Sequence, residues 1–84
     1  MLATMSSITS ATRLKRHAYE FGVYSSVIQT PQQISKEGCG YSLRFDDSAK
    51  NIILNAAKEL GVRIRSFYYE SEAEGKRTYS KVVE

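Results

Sequence analysis

Cys39 stands between two glycines, in Gly38-Cys39-Gly40, and is the only cysteine of the 84-residue chain. The thiolate is the nucleophilic form of cysteine, and flanking glycines leave a thiol backbone freedom and no bulky neighbour. Lys36 lies three residues upstream, and a nearby cation favours the thiolate. Pro31, the only proline, opens the segment that leads to this thiol. Cys39 is thus the candidate reactive group, with Pro31, Gly38 and Gly40 shaping its loop and Lys36 as electrostatic support. A second reading of the same residues stays open: free cysteine is often a small buried apolar residue, here at the start of a strand.

The elements that must position this loop follow from periodicity. Leu2–Ser6 is a short strand candidate, and Ser6–Ser10 offers several helix N-caps. Ala11, Leu14, Ala18 and Phe21 then fall on one stripe of an amphipathic helix that Gly22 ends, with Arg13, Lys15, Arg16 and His17 mainly off it. Val23–Thr30 is rich in β-branched and hydroxyl residues and stops at Pro31, which cannot donate to a sheet. Tyr41, Leu43 and Phe45 alternate with Ser42, Arg44 and Asp46, the clearest strand in the chain. Asp46 or Asp47 caps a second helix with Ile52, Ile53, Ala56, Ala57 and Leu60 on its apolar stripe, stopped at Gly61. Val62–Tyr69 reads as a strand and Glu70–Arg77 as a solvated turn region. Thr78–Val83 is either a fifth strand covering an exposed edge or a flexible tail.

The order β-α-β-β-α-β in one domain, residues 1–84, points to an α+β sandwich of ferredoxin-like arrangement, an antiparallel sheet with two helices on one face. That topology brings the loop before Tyr41 to the end of the sheet where the first strand enters the first helix. Cys39 would then lie close to the helix start around Ser7–Ala11. The unpaired N–H groups and partial positive charge of that helix end favour a thiolate.

Thr30-Pro31 after an apolar strand, Ile34-Ser35 in the loop, Cys39-Gly40, Leu43 and Phe45 beyond, and Gly61-Val62 after the second helix resemble the DUF3343 family, small bacterial selenium/sulfur carrier-like proteins of unknown function. The resemblance spans roughly Leu2 to Tyr69. Family members commonly carry a basic residue just after the proline, where this chain has Gln32. The resemblance implies a single-thiol carrier: Cys39 would accept a sulfur or selenium atom from a donor enzyme and hand it to an acceptor protein. A carrier needs one accessible thiol and no nearby resolving cysteine, and both fit this sequence.

Composition bounds the alternatives. A net charge of +3 is mildly basic and far from the dense stripes of nucleic-acid binders. The residues Glu37-Gly38-Cys39-Gly40-Tyr41 keep the glycines of an RNA-recognition strand motif. They put Glu where a base is wanted and Cys where a stacking ring belongs, which argues against nucleic acid as a partner. One Cys and one His cannot supply a zinc site of the usual ligand count, and no cofactor or metal is expected. No apolar run approaches the length of a membrane span, Met1–Ala11 lacks the features of a signal peptide, and a lone thiol suits a reducing compartment; these point to the cytoplasm. No paired carboxylates or Ser/His/Asp set can be assembled, which argues for a carrier or accessory protein over a self-sufficient enzyme. The other reading is a non-catalytic protein-interaction or regulatory module in which Cys39 is incidental. The six tyrosines, Tyr68-Tyr69 especially, read as half-buried strand residues, and an exposed cluster of them near the fourth strand could form a homodimer contact.

Overall fold

The structure is a computed structural model, and it describes residues 1–35 and 40–82. Its elements run β1 (Leu2–Met5), α1 (Ile8–Tyr19), β2 (Ser25–Gln29), β3 (Tyr41–Phe45), a one-turn 3₁₀ helix (Asp47–Ala49), α2 (Lys50–Leu60), β4 (Ser66–Ala73) and β5 (Lys76–Lys81). All strand pairs are antiparallel, in the order β2-β3-β1-β4-β5. The first four strands have the interleaved order of a ferredoxin-like sheet, and β5 is added outside β4.

One face of the sheet carries both helices. Ala3 and Met5 of β1, Leu43 and Phe45 of β3 and Phe67 of β4 share a core with Ala11, Leu14 and Ala18 of α1 and Ile53, Ala56 and Ala57 of α2. Leu14, Leu43 and Ile53 are completely buried. Burial of such a side chain stabilises by about 1.5–3 kcal/mol. The opposite face follows from the register: Leu2 lies between Arg44 and Tyr68, and Thr4 between Ser42 and Ser66. The central strands β1 and β3 therefore present Leu2, Thr4, Ser42 and Arg44 there and no aromatic ring.

Both helices end in the same way. The N–H groups of Gly22 and Val23 return to the carbonyls of Tyr19 and Ala18, and those of Gly61 and Val62 to Lys58 and Ala57. This pair of bonds is the Schellman motif, with glycine in the left-handed conformation. It corrects two expected strand starts. Val23 and Val62 are buried helix closures, so β2 begins at Ser25 and β4 at Ser66. Phe21 falls just beyond α1 and is 53% exposed, so it leaves the buried stripe; Ile52 of α2 is likewise partly exposed.

The Glu70–Arg77 stretch is also not the turn region expected. Glu70–Ala73 continues β4, Lys76 opens β5, and the turn is only Glu74-Gly75, both with positive φ (53° and 77°). Two such residues form the tight turn whose twist suits a hairpin. The fifth strand expected near Thr78–Val83 is present at Lys76–Lys81. No helix among the described residues is long and apolar enough to cross a membrane.

Candidate functional site

The loop between β2 and β3 is closed at its neck by Thr30 and Gly40. Thr30 N–H donates to the Gly40 carbonyl at 3.1 Å, extending the β2–β3 ladder one step past Gln29 and Tyr41. The hydroxyls of Thr30 and Ser42 share a hydrogen bond of 2.8 Å. Beyond the neck, the Pro31 carbonyl accepts from the N–H groups of Ile34 (3.1 Å) and Ser35 (3.0 Å), so proline starts a compact turn. Pro31 thereby ends the strand and begins the loop, as its missing N–H and fixed φ dictate.

Gly40 is the most constrained position of the neck. Its φ is +125°, and a Cβ there would stand 3.2 Å from the Met5 carbonyl oxygen and 3.4 Å from Thr30 Oγ1. Only glycine combines that backbone angle with so close an approach. The contact fixes the neck against the last residue of β1. Since Met5 pairs with Tyr41, Gly40 sits one step further on, beside the Ser6-Ser7 junction into α1.

That junction is the N-terminus of α1. The Ser7 side chain accepts from Ser10 N–H at 3.3 Å, and the first turn holds no acidic residue. Ile8, next to the cap, is 52% exposed. Of the residues expected to build the site, Pro31 and Gly40 are thus placed at the base of the loop. Lys36, Gly38 and Cys39 lie outside the described residues.

Three further features lie away from the expected site. Arg44, on the helix-free face, donates to Glu70 through Nε (2.9 Å) and Nη2 (2.8 Å), and Arg77 Nη1 lies 3.5 Å from the same carboxylate. The hydrogen bond to Glu70 holds the Arg44 guanidinium above its ordinary pKa. Asp46 accepts from Ser48 N–H (2.9 Å) and its hydroxyl (2.8 Å), which keeps its carboxyl below the usual value.

The third is an aromatic surface at the far end of α1 from Ser7. Tyr19 (62% exposed) and Tyr24 (77%) meet edge to face with centroids 5.5 Å apart. They border a groove of about 510 Å³ whose other walls include Lys15, Arg16 and Ser25. Tyr69 on β4 is also exposed (44%), and Tyr68 beside it is half-buried, as a strand residue is. A charged Glu70–Glu72–Arg77 surface adjoins that end of the sheet.

No curated protein and no solved structure matches the chain. Residues 1–69 match the model of the family described as Putative Se/S carrier protein-like. The match ends inside β4, so the hairpin turn and β5 lie outside it. Covering most of the 84 residues, it shows that the chain belongs to this family.

Proposed function

We propose that the protein carries sulfur or selenium on Cys39. Two things support this reading: the family's description as carrier-like, and the fixed position of Gly40 against the end of β1. A peptide bond keeps consecutive Cα atoms about 3.8 Å apart. One peptide unit links Cys39 to Gly40, and in this reading the helix N-terminus beside Gly40, with no acidic residue in its first turn, favours the Cys39 thiolate.

The chemistry is a transfer between sulfurs. The Cys39 thiolate attacks the terminal sulfur of a donor persulfide. A bond forms between Sγ and that sulfur, the donor's S–S bond breaks, and the donor thiolate leaves with the electron pair. The same step run against an acceptor thiol regenerates Cys39. Selenium takes the place of the terminal sulfur without changing the bond count. The donor protein presents a persulfide and the acceptor protein a thiol; in this reading Lys36 favours the thiolate, and the flanking Gly38 and Gly40 add no side chain that would hinder attack.

The test is intact mass spectrometry after exposure to a cysteine desulfurase and cysteine. A gain of one sulfur, about 32 Da, that is removed by reductant and absent in Cys39→Ser supports the reading. No adduct on a folded protein leaves the interaction-module reading in its place.

A further inference from the structure

The two edges of the sheet differ in charge. β5 carries Lys76, Arg77 and Lys81 on an exposed strand, the usual protection against edge-to-edge pairing. β2, Ser-Ser-Val-Ile-Gln, carries no charge, and Pro31 falls outside it. Among the described residues β2 pairs only with β3. Thr30 N–H points to β3, so by alternation Ser25, Val27 and Gln29 turn their N–H and C=O groups outward.

We infer that β2 pairs antiparallel with β2 of a second copy of this chain, about a two-fold axis through Val27. The strand is self-complementary: Val27 meets Val27, Ser25 meets Gln29, Ser26 meets Ile28, and the outward groups form about six hydrogen bonds. The same operation on β5 sets Lys76 against Lys81, and like charges directly opposite disfavour it. The aromatic surface continues the uncharged edge. Tyr24 immediately precedes β2, and in this register Thr30 and Pro31 of the second copy lie alongside Tyr24 and the groove beside it. Exposed tyrosines next to an uncharged edge suit such an interface.

The pairing gives each loop base a wall from the other copy, since Tyr24 of one faces Thr30 and Pro31 of the other. This consequence for the thiol loop rests on the carrier reading, whereas the pairing itself does not. Mass measurements on Cys39→Ser separate the two, because that variant abolishes sulfur loading and leaves the pairing intact.

Sedimentation equilibrium of the full chain tests the inference. The expected mass is twice the 9.5 kDa of one chain. Ser26→Lys and Gln29→Pro, each shown folded by circular dichroism, are expected to sediment as monomers, and Tyr79→Lys on β5 as a dimer. In a Cys39→Ser background, Val27→Cys is expected to oxidise to a covalent dimer far faster than Ser25→Cys. A monomer mass up to about 0.1 mM wild-type protein overturns the inference. So does a dimer that survives both β2 substitutions, or one in which Val27→Cys does not cross-link.

Discussion

β2 and β5 flank the same sheet, yet they are held by different forces. β2 belongs to the family-matched body, packs Val27 against the core, and is tied at its end by the Thr30–Gly40 neck. β5 lies beyond the match and is exposed along almost its whole length. Its attachments are the Glu74-Gly75 turn, the ladder to β4, the Arg77–Glu70 pair and Val82, which reaches back to the core. Apolar packing and the Thr30–Gly40 bond hold the β2 side. Charge and backbone pairing make the β5 side separable from the rest.

The largest effect is expected on the β2 side. Leu14 of α1 is fully buried in the core to which Val27 also belongs, and Leu14→Ala should cost about 2–5 kcal/mol in urea unfolding. Next is Gly40→Ala. A side chain at φ +125°, 3.2 Å from the Met5 carbonyl, should cost about 1–3 kcal/mol and alter the alkylation rate of Cys39. On the β5 side, Glu70→Gln weakens the double hydrogen bond to Arg44. The cost should be about 1 kcal/mol, and amide exchange should quicken in β5 while β2 stays protected. Equal quickening of both strands would erase the contrast.

The smallest effect concerns acid, at the start of the 3₁₀ turn before α2. Asp46 has its carboxyl pKa lowered in the folded state by its bonds to Ser48. Its contribution is thus complete above the ordinary value near 4 and is lost as pH falls through the lowered one. Asp46→Asn should flatten the fall in stability over that acid range and leave the neutral-pH unfolding slope unchanged.

Local chemistry made much of this legible. The alternation of Tyr41–Phe45, the stop at Gly61 and the strand end at Pro31 each depend on neighbours in sequence, and each stands as expected. The cap at Asp46 serves the 3₁₀ turn that leads into α2, whose own N-cap is Ala49 with no side-chain bond. The starts of β2 and β4 were not legible. Val23 and Val62 are β-branched and buried, as strand residues are, but their N–H groups are taken by Ala18 and Ala57. A Gly-Val pair after an amphipathic stripe signals a helix closure as well as a strand start. The β4–β5 hairpin was hidden because its residues are polar on both faces and show no alternation. At the candidate site, Pro31 and Gly40 could be picked out by type. The contact of Gly40 with Met5 joins residues far apart in sequence and needed the fold.

The pH dependence of Cys39 alkylation, followed by mass after exposure to a desulfurase, tests the central claim most directly. The account predicts a thiol that titrates clearly below the ~8.5 of free cysteine and gains one sulfur atom. A thiol that titrates at or above that value and gains none would contradict it, making Cys39 a packing residue.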